Sequence, residues 1–256
     1  LRDLLLLIKE IEQRDLNIDF QEANFSSLSA REGALKIKNH NTKIVYNPWR
    51  TVTGRLTTEK NSFPILTLNK ELRQFIKPTN DVFVELDYNS AELRVLLGLL
   101  NQDQPEEDIH HWINKNIFAD KYTREEVKKK VFAWLYNPKA KNKKLNQFLN
   151  RDKILEDYFF NNRILTPYGR EIEVGPDKAV NYIIQSTSSD MLLNSAIKIN
   201  KSLRSKRSFV SFCIHDSIVI DMCKTDKDLI MELAKIFAET KFGDLRTNLS
   251  IGSNFG

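Results

Sequence analysis

The stretch FVSFCIHDSIVIDM at residues 209–222 predicts two apolar strands of six residues each, which meet at a turn formed by His215 and Asp216. A second apolar run, VFVEL at residues 82–86, ends at Asp87. Each aspartate thus follows an apolar strand where it meets a polar turn, a position that presents a carboxylate at a sheet edge without burying its charge. Because 129 residues separate Asp87 from Asp216, only the fold could join them, and we expect their strands to be adjacent and antiparallel.

Around these strands the sequence predicts helices inserted between antiparallel strands. Apolar spacing and capping residues predict helices at residues 1–15, 89–100, 107–118, 123–137, 145–160, 177–203 and 226–239. One hairpin is predicted from strands at residues 34–38 and 43–46, which are joined by a turn at 39–41. A second hairpin is predicted around a turn at residues 167–169, and a short strand at residues 249–251. This order differs from an alternating βαβ pattern and indicates an α+β fold with an antiparallel sheet.

Two of the predicted helices begin with the pattern of a capping box. Asn89 is followed three residues later by Glu92, and Thr123 is followed by Glu126. After the second of these helices, a connection rich in lysine and asparagine at residues 138–144 is typical of a mobile loop.

Positive charge is concentrated in one part of this chain of 256 residues. The net charge is +5, yet residues 121–153 alone hold eleven Lys and Arg against three acids. Such a basic segment beside an acidic centre fits a polyanionic partner that also needs metal ions, although a solvated lysine-rich surface explains a run of this kind about as well by itself. Two cysteines, Cys213 and Cys223, are too few for a zinc site without further ligands, so we expect them to be packing residues in a reducing cytosol.

No apolar run approaches the roughly 20 residues that are needed to span a bilayer. The chain begins at Leu1 without a charged-then-apolar leader, so we expect no secretory signal and a cytoplasmic location, or the host cytoplasm if the source is viral. Because an initiator methionine is missing, we also expect a fragment from which an upstream part is absent.

The predicted helix at residues 123–137 carries a row of cations and aromatic rings at every fourth position: Arg124, Lys128, Phe132 and Tyr136. A step of four residues advances about 400°, so the row forms one slowly winding ridge about 18 Å long. Cations near a helix N-terminus suit a triphosphate, and rings further along suit stacking on a base and sugar. The alternative is an amphipathic helix with a lysine-rich solvent face.

The two carboxylates and the cationic ridge together suit phosphoryl transfer to a hydroxyl. Two Mg²⁺ ions about 4 Å apart can activate the attacking oxygen and stabilise the leaving one. Mg²⁺ keeps several waters and typically takes only one or two carboxylates from the protein, as Asp87 and Asp216 could provide. A template-copying nucleotidyl transferase contains all of these parts.

Several motifs occur in one order along the chain: TGRLTT at residues 53–58, DYNSAELR at 87–94, DIH at 108–110, the ridge, N-x3-QSTSSD at 181–190, IHDS at 214–217 and GSNF at 252–255. This series resembles the family A DNA polymerases, the DNA polymerase I family, whose motifs A, B and C match residues 87–94, the ridge and residues 214–217. The match extends from about residue 45 to the last residue. It implies the right-hand polymerase fold, with an antiparallel-sheet palm, inserted helical fingers and a thumb that is mostly absent.

The resemblance implies four regions along the chain. Residues 1–50 would be an N-terminal helix and hairpin, a remnant of the thumb or palm base. Residues 51–104 would be palm with motif A, residues 105–160 fingers with the motif B helix, and residues 161–256 palm with motif C.

The resemblance also implies the roles of the metal and triphosphate groups. Asp87 and Asp216 would bind two Mg²⁺ ions, with the backbone carbonyl of Tyr88 as a further ligand. Arg124 and Lys128 would hold the triphosphate, and Lys128 would also donate a proton to the leaving pyrophosphate.

Further roles concern the nucleotide and the DNA. Glu92 would lie under the sugar and exclude a 2′-hydroxyl, His110 would contact a phosphate, Phe132 would stack near the sugar and Tyr136 would lie by the template base. The DNA contacts implied by the resemblance are those of Arg55, Gln185, Asn181 and His215: Arg55 and Gln185 would read the minor groove, and His215 would touch the primer end. The implied partners are primer-template DNA and dNTPs, for a monomer, while the sequence names no processivity or replisome factor.

The chain departs from the family pattern at several positions. Ala133 and Asn137 stand where glycine is usual, and motif C ends in Ser217 where an acid is usual. The segment from Tyr136 to Asn181 is short, which indicates trimmed fingers, and no exonuclease motif is evident.

Two other functions stay open at this point. In single-subunit, phage-type RNA polymerases motif C also has the sequence His-Asp-Ser. Those enzymes lack the motif A glutamate and carry methionine in the helix row, so Glu92 and Phe132 favour DNA synthesis. A catalytically silent DNA-binding remnant is the second alternative, and primer extension by the purified chain separates it from a polymerase.

Overall fold

The computed structural model describes residues 1–20, 28–38, 41–137 and 139–256. These residues form two compact units. The first unit consists of Leu1–Asp87, Leu192–Phe237 and Thr247–Gly256, and the second of Tyr88–Met191 and Ala238–Arg246.

Within the described residues, the helices are α1 (Arg2–Glu12), α2 (Leu28–Lys38), α3 (Lys70–Arg73), α4 (Ala91–Leu99), α5 (Ile109–Phe118), α6 (Arg124–Tyr136), α7 (Lys143–Phe148), α8 (Arg151–Tyr158), α9 (Pro176–Ser202) and α10 (Ile230–Ala238). The strands are β1 (Asn17–Ile18), β2 (Tyr46–Asn47), β3 (Thr57–Thr58), β4 (Ile76–Lys77), β5 (Val82–Tyr88), β6 (Phe159–Phe160), β7 (Arg163–Leu165), β8 (Glu171–Glu173), β9 (Phe209–Ile214), β10 (Ser217–Met222), β11 (Glu239–Thr240), β12 (Gly243–Asp244) and β13 (Thr247–Gly252). Short 3₁₀ turns occur at Ile65–Thr67 and Lys224–Leu229.

A four-stranded sheet in the order β13-β5-β10-β9 organises the first unit. Strand β10 pairs antiparallel with both β5 and β9. Every residue of β10 is buried, as expected for a central strand written as a nearly continuous apolar run. The rings of Phe83, Phe212 and Phe255 pack edge to face, with centroids 6.0 and 4.9 Å apart, and this cluster fixes the core next to the sheet.

The second unit is mostly helical. Helix α6 buries Val127, Val131, Trp134 and Leu135, so one of its faces belongs to the core of this unit. The indole of Trp134 donates to Asn146 Oδ1 of α7 at 2.6 Å. Strands β6, β7 and β8 form a small antiparallel sheet in this unit, with the tight turn at residues 167–169 that the sequence predicts.

The strand predicted at residues 34–38 is wrong, because these residues belong to helix α2. Ala34 and Ile37 are buried, whereas Leu35 is 60% exposed. That spacing of three residues is helical, since a strand would place Leu35 and Ile37 on the same face. Of the predicted turn at residues 39–41, residues 39 and 40 lie outside the described residues.

The single helix predicted at residues 145–160 is also wrong. The chain forms α7 and α8 in place of this helix, and the last two residues of the predicted range, Phe159 and Phe160, form β6. Asn150 causes the interruption, because its side chain accepts hydrogen bonds from the amides of Asp152 and Lys153 and so begins a new helix. Lys143 and Lys144, predicted in a mobile loop, begin α7, while Pro138 lies outside the described residues.

Both cysteines are free and buried, as the sequence predicts for packing residues. Cys213 lies on β9, where its backbone exchanges hydrogen bonds with the hydroxyl of the buried Tyr46. Burial raises the pKa of the Cys213 thiol to about 12, so this thiol stays protonated at neutral pH.

Candidate active site

The register of the central sheet brings the two strand-end aspartates of the first unit together. In the β5–β10 ladder Ser217 lies directly opposite Asp87. Asp216 precedes Ser217 and shares the β9–β10 turn with His215, which is exposed and has a positive φ of 53°. The expectation of adjacent antiparallel strands is therefore confirmed, although no local feature of the sequence contained this register.

Negative charges crowd around Asp87. Burial and the neighbouring charge of Asp216 raise the pKa of Asp87 to about 6, and the charge of Glu85 acts in the same direction. Asn248 on β13 donates to Asp87 Oδ2 at 3.0 Å, which opposes the rise. No positively charged side chain is therefore among the main causes that set the pKa of Asp87.

This crowding predicts a pH-dependent stability for the metal-free protein. The folded-state pKa of Asp87 is about 6 against an ordinary value of 3.8, so the folded protein binds a proton more tightly than the unfolded chain. The contribution of Asp87 to the free energy of unfolding should therefore fall as pH rises from about 4 to about 6 and stay lower above that window. Asp87→Asn should remove this loss and raise the free energy of unfolding at pH 7 by about 1–3 kcal/mol.

Urea unfolding of both proteins in EDTA, from pH 4.5 to pH 7.5, measures this difference. The expected result is that the two stability curves diverge as pH rises. Parallel curves over the whole range would contradict the crowding around Asp87.

In the second unit, the predicted ridge lies on α6. Thr123 caps this helix, and the reciprocal hydrogen bonds of a capping box with Glu126 are both present, as predicted. Phe132 and Tyr136 stack with their ring centroids 5.8 Å apart and their planes at 9°. Lys128 is exposed, and the buried residues of α6 lie at other positions of the helix, so the ridge is separate from the core-facing stripe.

The first cation of the ridge is bound by an aspartate of its own unit. Arg124 donates through Nη2 and Nε to Asp108 Oδ2, at 3.0 and 3.3 Å, and the Arg124 side chain stays 40% exposed. Burial alone would raise the pKa of Asp108, but hydrogen bonds from Arg124, Asn89 and the His111 amide hold it well below its usual range. Asp108 is therefore ionised and orients the guanidinium.

His110 is completely buried beside this pair. Within the described part of the chain neither of its ring nitrogens has a hydrogen-bond partner, since Asp108 Oδ1 is 3.6 Å from Nδ1. Burial lowers the pKa of His110. The charge of Asp108 opposes this shift and the charges of Arg124 and Lys128 add to it, so the net direction is downward and the imidazole is neutral at pH 7. Its ring lies 6.4 Å from that of Phe132.

The capping box predicted for Asn89 and Glu92 is wrong. Ser90 is the N-cap of α4, with a left-handed φ of 58° and no side-chain cap, and this turn places Asn89 outside the helix. The Asn89 amide instead donates to Asp108 Oδ2 at 3.1 Å and accepts from Arg94 and the Ile109 amide. Glu92 lies in the first turn of α4 and is partly buried.

Arg94 is a fully buried cation that sequence reasoning assigned no role. It donates to the carbonyl oxygens of Asn89, Pro105 and Glu107 at 2.9–3.0 Å, and burial lowers its pKa to about 10. It therefore ties α4 to the segment before α5. The sequence could have indicated this structural role, because an arginine among the leucines of an apolar helix needs buried hydrogen-bond acceptors.

Four further predicted site residues lie on α9, on β5 and in the segment before β3. Gln185 and Asn181, one turn apart on α9, are hydrogen-bonded at 2.7 Å. Tyr88 is the buried last residue of β5, and Arg55 is exposed just after Gly54, whose φ is 74°.

Across the described ranges, no group of three or more His, Cys, Asp or Glu side chains could hold a metal ion. In the same ranges no helix is both long and apolar enough to cross a bilayer.

Comparisons with known proteins agree with the fold. No family model matches the chain. DNA polymerase I of Borreliella burgdorferi is 20% identical over 290 residues, an alignment that covers 88% of this chain and 31% of that protein. The POL domain of Pol1 from M. smegmatis, solved in complex with DNA primer-template and dNTP, superposes with a TM-score of 0.69 at 16% identity, covering 88% of this chain and 50% of that one.

The chain thus spans less than a third of the curated relative and half of the solved one. Its mixture of helices and antiparallel sheet matches part of a polymerase domain. In sequence the chain is similar to a DNA polymerase I, and in fold it is similar to the POL domain of Pol1.

Proposed function

We propose that this chain carries out template-directed DNA synthesis, adding dNTPs to a primer 3′-hydroxyl with release of pyrophosphate. One observation carries the proposal: in a chain with a polymerase-domain fold, the β5–β10 register sets Asp87 opposite Ser217, the residue after Asp216, and the charge of Asp216 acts on Asp87. The solved relative was bound to primer-template DNA and dNTP, and we assign the same partners to this chain.

The donor set fits Mg²⁺. Asp87 and Asp216 offer hard carboxylate oxygens, with the backbone carbonyl of Tyr88 as a further ligand, and Mg²⁺ needs no third carboxylate because it keeps several waters. The raised pKa of Asp87 reflects its burial and, after that, the negative charge of Asp216, which a divalent cation would offset. When bound, two Mg²⁺ ions would activate the 3′-hydroxyl and stabilise charge on the leaving oxygen.

On the nucleotide side, Arg124 and Lys128 are proposed to bind the triphosphate, with Lys128 donating the proton that the pyrophosphate takes up. Asp108 supports this role for Arg124, because the ion pair holds the guanidinium in one direction before a nucleotide binds. The ring of His110 is completely buried in this structure, so its proposed contact with a phosphate requires the residues that cover it to move. The neutral imidazole would then donate a hydrogen bond without adding a buried charge.

The base and sugar are assigned to the remaining ridge residues. Phe132 and Tyr136 already stack on one another, so they offer a rigid apolar surface to the sugar and to the template base. Glu92, in the first turn of α4, is proposed to exclude a 2′-hydroxyl.

For the DNA itself we propose contacts by Arg55, His215, Asn181 and Gln185. Arg55 and His215 are exposed and can reach a ligand, while Gln185 and Asn181 are ordered by their mutual hydrogen bond. Acceptor positions in the minor groove are shared by all base pairs, so amide and guanidinium donors there would check pair shape without reading sequence. We further propose that the chain acts as a monomer in the cytoplasm, or the host cytoplasm if viral, where DNA and dNTPs are available.

We propose that the chain contains the palm and fingers regions of a polymerase. Residues 1–50 are assigned to a remnant of the thumb or palm base, residues 51–104 and 161–256 to the palm, and residues 105–160 to the fingers.

Primer extension on the purified chain tests the proposal. A labelled primer annealed to a longer template, with Mg²⁺ and four dNTPs, should be extended, and omission of one dNTP should stop extension at the corresponding template base. A chain that binds the DNA without extending it at any Mg²⁺ concentration would instead be a silent binding module.

A second candidate, RNA synthesis, is favoured by Ser217 directly after His215 and Asp216. Parallel reactions with four NTPs distinguish it, because an RNA polymerase would extend with NTPs in preference to dNTPs.

A further inference from the structure

Residue 217 is the position on β10 that faces Asp87 across the ladder. This residue is a serine and is only 3% exposed. Residues 214–217 resemble motif C, which usually has an acidic residue at this last position. A serine hydroxyl can neither bind a cation strongly nor add negative charge, so this position itself contributes no carboxylate.

A carboxylate reaches Ser217 from the neighbouring strand. Ser217 Oγ donates to Glu85 Oε1 at 2.8 Å, and its other close oxygen is the Ile214 carbonyl at 3.1 Å. Glu85 lies two residues before Asp87 on β5, so both side chains point to the same face of the sheet. In the register Glu85 is opposite Val219, which makes it the diagonal neighbour of Ser217.

The geometry points to Glu85 as the positioning carboxylate of the Asp87–Asp216 pair: we propose that it replaces, from β5, the acid that β10 lacks at position 217. This inference rests on the proposed function. Glu85 is assigned a positioning role because its carboxylate accepts the hydrogen bond of Ser217. It acts through Ser217, whose hydroxyl it fixes opposite Asp87, and through its charge.

A carboxylate in this place should strengthen cation binding by Asp87 and Asp216. Groups that hydrogen-bond around metal ligands orient them and tune their affinity, and their loss typically costs roughly 10- to 100-fold in metal affinity or activity. The hydrogen bond to Ser217 fixes the Glu85 carboxylate, whereas a free surface glutamate would sample many rotamers.

Mn²⁺ binding, measured by electron paramagnetic resonance on the full chain without DNA or nucleotide, tests the inference. Glu85→Gln keeps an acceptor for Ser217 and removes the charge, and we expect it to weaken Mn²⁺ binding about 10-fold or more. Glu232→Gln on the exposed surface of α10 makes the same charge change as a control and should bind within about twofold of the parent.

A relocation variant, Glu85→Ser with Ser217→Glu, returns the carboxylate to β10. We expect it to recover Mn²⁺ affinity to within about threefold of the parent, which a merely structural role of Glu85 would not predict. In single-nucleotide insertion the Mg²⁺ concentration for half-maximal rate should rise for Glu85→Gln and return in the relocation variant.

The outcomes separate this inference from the proposed function. If Asp87→Asn weakens Mn²⁺ binding and Glu85→Gln does not, or if the folded relocation variant stays as weak as Glu85→Gln, Glu85 has no positioning role although the polymerase proposal stands. If Mn²⁺ binding depends on Glu85 but the chain never extends a primer, the positioning role holds and the polymerase proposal fails. Mn²⁺ binding that is insensitive to both Asp87→Asn and Glu85→Gln overturns the metal site and this inference together.

Discussion

Nucleotide addition should be lost when either Asp87 or Asp216 is replaced by alanine. We expect a fall in the single-turnover insertion rate of at least about 100-fold for each variant, because either change removes charge stabilisation worth several kcal/mol in the transition state. Rapid-quench measurement with one dNTP and a saturating primer-template gives the rate directly.

DNA binding and folding serve as internal controls for these two variants. Both variants should bind primer-template with nearly parental affinity in fluorescence anisotropy. Asp87→Ala should not unfold the protein, because it relieves crowding between like charges. Asp228→Ala, at an exposed position just before α10, is a matched control that should retain the full insertion rate. Extension by Asp87→Ala or Asp216→Ala within tenfold of the parent would show that these carboxylates are not the catalytic pair.

Glu92→Ala should raise ribonucleotide incorporation relative to deoxyribonucleotide. Glu92 lies in the first turn of α4, four residues after the end of β5, and is partly buried. A bulky acid there can fill the space that a 2′-hydroxyl would need, so its removal should change the ratio of dNTP to rNTP insertion by about 100-fold or more. Insertion of a matched dNTP and rNTP, measured side by side for the parent and the variant, provides that ratio.

The structure removes the simplest competing role for Glu92. In a capping box with Asn89, its loss would cost about 1 kcal/mol of stability and leave sugar choice unaltered. Asn89 is bonded to Asp108 and Arg94 instead, and Ser90 is the N-cap. Glu156→Ala, an exposed glutamate on α8, controls for loss of a surface charge. An unchanged sugar ratio in Glu92→Ala would reject its role at the 2′ position.

Local sequence determined most of the secondary structure. Strands β9 and β10 have the bounds that the sequence predicts, and the capping box that begins α6 is present. The signals there are short-range: apolar runs bounded by polar turns, and a cap whose partner lies three residues away. The candidate carboxylates were also found this way, because each follows an apolar run in the sequence.

Local signals failed where two interpretations used the same residues. At residues 34–38 an apolar alternation suggested a strand, but helix α2 buries Ala34 and Ile37 and leaves Leu35 in solvent. At Asn89 a cap pattern was satisfied in the sequence, yet the side chain found better partners in Asp108 and Arg94. In both cases tertiary contacts outweighed a propensity that is worth only about 1 kcal/mol.

The pairing of the functional groups depends on the tertiary structure alone. Asp87 faces Ser217, and Glu85 accepts from the same serine across 132 residues of sequence. Arg124 pairs with Asp108 over 16 residues. No local pattern encodes such partners, because strand register is set by the burial of whole faces of the sheet. The sequence by itself therefore determined which residues are candidates for the chemistry, and the packing of β5 against β10 decided which carboxylates meet.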